Sequence, residues 1–248
     1  MTLLHALTED AFLGGRLCLH QPAEGYRAAI DPVLLAAAIP AQAGDSIIDL
    51  GCGVATASLC LLTRVSGLRV TGLELQGPLV ELAEENARLN GCAEQLHIVP
   101  GDVARPPAVL AAASFDHAMM NPPYLEPGTA RVSAHELRRI ATVEGPAGLD
   151  VWLACALALL RPRGSITVVH RADRLQSILG LLSESCGDLA IFPLWPRQGE
   201  GAKRVLVQAR KGSAGPLRFL PGLTLHDADG RYTPEAEAVL RDARDLAF

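Results

Sequence analysis

Short apolar runs alternate with amphipathic stretches along most of the chain. Ser46–Leu50 is β-branched and apolar, and a Gly-Cys-Gly turn at 51–53 separates it from Thr56–Thr63, which has the pattern of a buried helix. Arg69–Glu74 repeats the strand pattern, and Pro78–Asn90 then places apolar residues at helical spacing. This order predicts a βαβ unit.

The same alternation continues on both sides of that unit. Asp31 has the character of an N-cap with Pro32 at the first helical position. Alternating strands and helices predict an α/β fold in which about seven strands form one mostly parallel sheet with helices on both faces. The remaining predicted strands are Leu96–Val99, Phe115–Met120, Ser165–His170, Leu189–Leu194 and Arg204–Ala209, and the remaining helices are Asp31–Ala38, Leu149–Leu160, Asp173–Ser185 and one from Pro234.

No internal repeat and no Gly-, Ser- or Pro-rich linker divides the 248 residues. We therefore expect a single domain, in which residues 1–45 are an N-terminal lead and helix packed on a catalytic domain at 46–248. The polar stretch Glu126–Gly148 is long for a connection inside a compact domain, which is typical of a functional lid or a partly disordered loop.

Composition narrows the class of protein. Hydrophobic residues make up 49% of the chain and charged residues 20%, as in globular proteins. The longest apolar run, Val151–Leu160, is too short to span a membrane, and the N-terminus lacks a secretory pattern, so we expect a cytoplasmic protein. The cysteines show neither zinc-ligand nor redox spacing and are expected to be small buried hydrophobes: Cys18, Cys52, Cys60, Cys92, Cys155 and Cys186.

Acidic residues recur where three successive predicted strands end, at Asp49, Glu74 and Asp102. Open α/β sheets bind ligands at this edge, and a carboxylate there can accept hydrogen bonds from ribose hydroxyls. Thr56 stands where a dinucleotide fingerprint needs a third small residue, which disfavours nicotinamide and flavin cofactors. An acid-lined pocket suits a ligand with a ribose, an adenine and a positive charge, and S-adenosylmethionine has all three.

Asn121-Pro122-Pro123-Tyr124 follows the fourth of these strands directly. The tetrad resembles the motif of the amino-group methyltransferases, in which the exocyclic amine of a base, or a side-chain amide, donates to the Asn side-chain oxygen and to the carbonyl of the first Pro. Two fixed acceptors can draw the conjugated lone pair of such an amine toward tetrahedral geometry. The two prolines fix the backbone and remove N–H donors, and Tyr124 is suited to stack on a planar substrate.

Further segments resemble the bacterial tRNA adenine-N6 methyltransferases, namely Gly25-Tyr26-Arg27 with 31–35, 203–207 and 225–233. The resemblance implies a Rossmann-like class I methyltransferase fold and an adenosine beside the anticodon of a valine tRNA as the target. It also implies that S-adenosylmethionine is held by Asp49, Gly51, Gly53, Glu74 and Asp102, and the target amine by Asn121, Pro122 and Tyr124. Many relatives have a third glycine where this chain has Ala55, which makes the cofactor turn slightly less permissive.

Three alternatives stay open at this point. A glutamine methyltransferase of a translation release factor carries the same tetrad, usually with an extra N-terminal helical domain. A guanine-N2 rRNA methyltransferase is another possibility, and a non-catalytic nucleotide-binding protein of this fold is disfavoured by the intact tetrad.

The net charge of −5 conceals an uneven distribution. Residues 1–130 carry −8, residues 131–218 carry +6, and residues 219–248 carry −3. A basic block after the tetrad predicts that tRNA binds through a basic face formed by residues 131–218. Its main basic residues are Arg131, Arg138, Arg139, Arg161, Arg163, Arg171, Arg174, Arg197, Lys203 and Arg204.

Overall fold

A computed structural model of the chain describes residues 6–23, 27–124 and 147–248. The strands are β1 (Leu7–Phe12), β2 (Leu17–Pro22), β3 (Ser46–Leu50), β4 (Arg69–Glu74), β5 (Leu96–Pro100), β6 (Phe115–Met120), β7 (Leu160–Arg171), β8 (Cys186–Arg197), β9 (Arg204–Lys211), β10 (Arg218–Phe219) and β11 (Leu223–His226). The helices are α1 (Asp31–Ala38), α2 (Thr56–Arg64), α3 (Gly77–Leu89), α4 (Leu149–Leu159), α5 (Leu175–Ser183) and α6 (Pro234–Asp242).

One large sheet organises the molecule, in the order β10-β8-β9-β7-β6-β3-β4-β5, with β11 also paired to β8. The neighbours from β5 to β7 run parallel, and β9 is antiparallel to both β7 and β8. The mostly parallel α/β sheet is therefore confirmed. All seven predicted strands are present as β3–β9, but the described part of this sheet has nine strands, because the short β10 and β11 also join it.

Helices cover both faces of the sheet, and the side chains of β3 show why. Ile47 belongs to a core shared with α1, α2 and α3, whereas Ile48 and Leu50 belong to a second core shared with α4 and α5. Successive side chains of a strand point to opposite faces, so a strand covered on both sides is apolar almost throughout. All six residues of β6 are buried for the same reason.

Several predicted boundaries shift. The first helix begins at Asp31 itself with Ile30 as its N-cap residue, so the prediction that Asp31 caps this helix is wrong. The strand predicted over Ser165–His170 extends back to Leu160, and the helix predicted over Asp173–Ser185 is confined to Leu175–Ser183 after a short 3-10 turn. Of the long connection Glu126–Gly148, residues 126–146 lie outside the described part, as do Gly25 and Tyr26.

The first 22 residues contain a hairpin, β1–β2, that the sequence pattern did not reveal. Two side-chain amides, one on α3 and one on the residue that follows its last turn, bind the hairpin backbone. Asn86 accepts from the N–H of His20 at 2.8 Å and donates to its carbonyl at 3.0 Å, and Asn90 does the same for Cys18 at 3.0 and 2.7 Å. Side chains four apart on a helix lie on one face, so the two amides bind alternate residues of β2 and fasten the hairpin to α3.

In the described ranges, every helix is too short or too polar to cross a membrane.

Candidate active site

The predicted site residues gather at one edge of the sheet, where the parallel strands β3–β7 end. The strand order places Asp102 after β5, Glu74 on β4, the glycine turn after β3, Asn121 after β6 and His170 near the end of β7. Neighbouring strands lie about 4.8 Å apart, so three strand spacings, about 14 Å, separate Asp102 from Asn121 along this edge. The edge thus offers a row long enough for a nucleoside beside a second ligand.

The turn after β3 requires left-handed backbone at three positions. Gly51 has φ +66°, Gly53 +58° and Ala55 +68°. A Cβ on Gly51 would come within 2.4 Å of the ring of Trp152, whereas a Cβ on Gly53 would meet no atom within 4 Å. Trp152 therefore packs against one side of the turn, and the turn is open above Gly53. Ala55 adopts a conformation that costs an L residue about 1–2 kcal/mol, as expected from its replacement of glycine.

Glu74 holds the turn in place. Its carboxylate accepts the N–H of Gly53 at 2.9 Å and the N–H of Gln76 at 2.9 Å, one with each oxygen. Burial raises the pKa of Glu74, and the backbone donors partly oppose that change. Each carboxylate oxygen has a second lone pair, so Glu74 can still accept hydrogen bonds from a ligand diol.

Asp49 lies beneath the turn. It is 3% exposed and accepts the hydroxyl of Ser58 on α2 at 2.7 Å. Burial raises its pKa to about 7, and the negative charge of Glu74 contributes to this shift. The structure therefore places Asp49 where it supports the turn and the start of α2 from below.

The third acid and its neighbours complete the β5–β4 half of the edge. Asp102 accepts the N–H of Ala104 at 2.9 Å in a tight turn. Sequence reasoning missed Leu75, which follows Glu74 and exposes 58% of its surface. It also missed the Thr56 hydroxyl and Gln76 Oε1, which are buried without a hydrogen-bond partner among the described residues. An exposed apolar side chain beside a buried acid and unpaired polar atoms fits the face and edges of a nucleoside.

The tetrad is held by residues from three other elements. The Tyr124 hydroxyl lies within hydrogen-bond distance of Asn121 Oδ1 and of Asp31 Oδ2, the latter at 3.0 Å, and can donate to either one. Arg204 at the start of β9 donates from Nε to the same Asp31 oxygen at 3.2 Å, and its guanidinium lies 4.7 Å from the centre of the tyrosine ring. Asp31 was missed because its position before a proline is typical of a helix cap.

His170 packs against the Tyr124 ring, with 5.1 Å between the ring centres and an interplanar angle of 73°. It is fully buried, and in the described part of the chain neither ring nitrogen makes a hydrogen bond. Burial, together with the positive charge of Arg174, lowers its pKa to about 4. The imidazole next to the tetrad is therefore neutral at physiological pH.

The basic residues of the block 131–218 divide between opposite edges of the sheet. Arg161 and Arg171 lie near the two ends of β7, and the regular part of that strand, residues 165–171, alone spans about 20 Å. Because that separation spans the sheet, the expected single basic face is wrong for the described residues. Arg171, Arg174, Arg197, Lys203 and Arg204 lie on the tetrad side, and Arg161, Arg163, Arg210 and Lys211 lie on the far side.

The far-side group has structural partners. Arg161 pairs with Asp116, and Lys211 donates to the carbonyls of Leu157 and Leu160 at 2.6 and 2.7 Å. The loop residues Arg131, Arg138 and Arg139 lie outside the described ranges.

Known proteins that are similar to this chain are methyltransferases. The family model "Methyltransferase small domain" matches residues 28–143. A relative from Dickeya chrysanthemi (strain Ech1591), named tRNA1(Val) (adenine(37)-N6)-methyltransferase, is 30% identical over 221 residues, which cover 86% of this chain and 85% of that protein. A release factor glutamine methyltransferase from Chlorobaculum tepidum is 27% identical over 166 residues, covering 64% of this chain and 56% of that protein.

A solved structure also resembles the whole fold. A predicted O-methyltransferase from Agrobacterium tumefaciens matches with a TM-score of 0.72 and 25% identity, covering 88% of this chain and 98% of that one. The similarity thus extends well beyond the residues of the edge.

Proposed function

Because the chain belongs to the family of the tRNA1(Val) (adenine(37)-N6)-methyltransferases, we propose that it methylates the exocyclic N6 amine of an adenosine in the anticodon loop of a valine tRNA. It is a methyltransferase that uses S-adenosylmethionine. The observation that carries the substrate proposal is the pairing of β3 with β6, in which Leu50 lies opposite Met120. This pairing puts the glycine turn and Asn121 side by side, one strand spacing apart.

The β5–β4–β3 part of the edge fits the cofactor. Glu74 would accept hydrogen bonds from the ribose hydroxyls, Leu75 would pack on the adenine, and Asp102 would accept from the adenine amine. The open side of Gly53 would let the backbone approach the ligand, and Gly51 and Asp49 would shape the turn from the other sides. Bound there, S-adenosylmethionine supplies a methyl group on a positively charged sulfur, which the acidic lining of this edge favours.

The tetrad fits the target amine. Asn121 Oδ1 and the carbonyl of Pro122 would accept its two hydrogens, and Pro123 would keep that backbone rigid. Withdrawing the amine lone pair from conjugation needs fixed acceptors more than a base, because the nitrogen becomes acidic only after methylation. Neutral, buried His170, which packs against the Tyr124 ring, need not remove a proton. Tyr124 would present its ring to the adenine.

We propose that the catalytic unit is residues 46–248, on which the described part of residues 1–45 packs through the hairpin and α1. The arginines and lysine on the tetrad side would contact the phosphates around the target loop. Arg197→Gln should then reduce the salt dependence of tRNA binding by about one unit in the slope of log K against log salt. Arg163→Gln is the matched control on the far side, and an equal loss in both variants would argue against this interface.

Methyl transfer from labelled S-adenosylmethionine tests the proposal directly. The enzyme is incubated separately with tRNA, rRNA and release factor, and nucleosides of the labelled RNA are identified as N6-methyladenosine or another product. We expect label in valine tRNA. Label in release factor and none in RNA would favour the glutamine methyltransferase alternative, and N2-methylguanosine in rRNA would favour the third.

A variant of the tetrad tests the assignment of the site. Asn121→Ala should lose turnover by at least a hundredfold while S-adenosylmethionine binding, measured by calorimetry, stays near the wild-type value. Glu74→Gln should show the reverse order of effects, with weaker cofactor binding first. Loss of cofactor affinity in Asn121→Ala would show that the tetrad had been assigned to the wrong ligand.

A further inference from the structure

Within the part of the chain that the structure describes, the hydroxyl of Tyr124 faces two acceptors. One is Asn121 Oδ1, and the other is Asp31 Oδ2 at 3.0 Å. A phenolic hydroxyl carries a single proton, so it cannot make a full hydrogen bond to both at once. Which oxygen takes the proton therefore decides whether Asn121 Oδ1 accepts a hydrogen bond from Tyr124.

Asp31 is fixed as the alternative acceptor. Arg204 Nε donates to the same oxygen at 3.2 Å, and the side chains of Asp31 and Arg204 are only 21% and 34% exposed. The guanidinium of Arg204 lies 4.7 Å from the centre of the Tyr124 ring, and His170 packs against the same ring. Contacts among residues of α1, β7 and β9 thus fix the Tyr124 ring and the Asp31 carboxylate relative to each other.

The two acceptors differ in strength. Asp31 is a carboxylate paired with a cation, and Asn121 offers a neutral amide oxygen. Hydrogen bonds to charged acceptors are stronger than those between neutral groups. The tyrosine proton can therefore point to Asp31 and leave Asn121 Oδ1 to another donor, without any movement of the ring.

We propose that Asp31, held by Arg204, is a positioning residue that takes the hydrogen bond of Tyr124 when the target amine binds, and so releases Asn121 Oδ1 for that amine. This inference rests on the proposed function, because it assigns Asn121 as the acceptor of the target amine. Without Asp31, the hydroxyl and the amine compete for one oxygen. Without the Tyr124 hydroxyl, Asp31 has no hydrogen bond to accept from Tyr124 and no effect on Asn121 through it.

Substituting Asp31 in two proteins, the wild type and Tyr124→Phe, tests the inference. Asp31→Ala should lower kcat/KM for tRNA about tenfold, the equivalent of one net hydrogen bond. In the Tyr124→Phe background, the same substitution should change kcat/KM less than twofold. Asp31→Asn, which keeps a neutral acceptor, should lose about threefold and guards against a folding defect of the alanine variant.

Matched controls separate this role from general effects at the sheet edge. Asp173→Ala removes a carboxylate that pairs with Arg171 on the same edge, and its effect should be the same with either residue at position 124. Tyr232→Phe removes a hydroxyl elsewhere on this edge and should not rescue Asp31→Ala. An effect of Asp31→Ala that is equal in both backgrounds would overturn the inference.

Thermal unfolding without tRNA distinguishes failure of the inference from failure of the proposed function. If the hydroxyl and the carboxylate interact, the Tm losses of Asp31→Ala and Tyr124→Phe should be non-additive by about 3 °C. Coupling in Tm with no methyl transfer to tRNA by the wild type would overturn the proposed function. Methyl transfer by the wild type without rescue would overturn the inference alone.

Discussion

Replacing Gly51 by alanine tests how the turn above β3 is built. Gly51 has φ +66°, and a Cβ there would stand 2.4 Å from Cη2 and 2.9 Å from Cζ3 of Trp152. The left-handed backbone costs alanine about 1–2 kcal/mol, and displacing a packed ring costs about 1–3 kcal/mol more. We therefore expect Gly51→Ala to lower the free energy of unfolding by about 3 kcal/mol, with a fall in Tm of about 9 °C.

Gly91 provides a matched control, because it has nearly the same φ, +67°, and a Cβ there would meet no atom within 4 Å. Gly91→Ala should cost only the backbone strain, about 1 kcal/mol. Urea unfolding followed by circular dichroism measures both variants. Equal losses would refute the claim that Trp152 packs against the turn.

A second substitution identifies Trp152 as the cause. Trp152→Leu vacates the space that the ring occupies, so adding Gly51→Ala to that variant should cost no more than Gly91→Ala costs in the wild type. Gly53 extends the comparison to the ligand. Its φ is +58° and its Cβ direction is open, so Gly53→Ala should match Gly91→Ala in stability but weaken S-adenosylmethionine binding, which Gly91→Ala should not.

Two buried groups should give stability opposite dependences on pH. The folded pKa of Asp49 is raised from 3.8 to about 7, so its contribution to stability falls as pH rises through that window, by about 4 kcal/mol in all. The folded pKa of His170 is lowered from 6.5 to about 4, so its contribution is lost as pH falls from 6.5 toward 4, by about 3 kcal/mol. The free energy of unfolding is therefore measured in urea at pH 4.5, 5.5 and 6.5. It should rise with pH more steeply in Asp49→Asn than in the wild type, and less steeply in His170→Phe than in the wild type. A dependence on pH that is unchanged in the two variants would contradict both assignments. The hairpin gives a third prediction. Asn86 is fully buried and also donates to Val54 O at 3.1 Å, so Asn86→Ala should cost about 3 kcal/mol and speed hydrogen exchange at the His20 amide, whereas the half-buried Asn90→Ala should cost about 1 kcal/mol. Similar protection of the His20 amide in both variants would show that Asn86 does not fasten the hairpin.

The sheet could be predicted from the sequence where burial on both faces makes a strand almost wholly apolar. β3 and β6 begin and end at the residues that the pattern predicts. Asp49 is the only charged residue in β3, and all residues of β6 are buried, including the polar ones. The sequence pattern did not predict β1, because exposed and half-buried positions alternate over Leu7–Phe12 with little difference in hydrophobicity. β10 has only two residues, too few for any pattern.

The candidate site was predictable as a set of strand ends but not as a set of contacts. Asn121 and Glu74 could be placed because a parallel sheet brings strand ends to one edge. The partnership of Asp31 with Arg204 joins residues 173 positions apart, and local pattern carries no signal for it. The basic block failed as a single face because a strand of twelve residues carries Arg161 and Arg171 to opposite edges of the sheet.

The pairing of β3 with β6 has an evolutionary consequence. The chain leaves β3, builds two further strands, and returns to place Asn121 beside the turn it left about seventy residues earlier. The spacing between the glycine turn and Asn121 is thus set mainly by the backbone hydrogen bonds that pair β3 with β6. Segments after β6 and at the β8 edge can lengthen, shorten or be exchanged while that spacing is inherited unchanged. Such an architecture lets new substrates be acquired by remodelling one side of the molecule, with the transfer chemistry carried along intact.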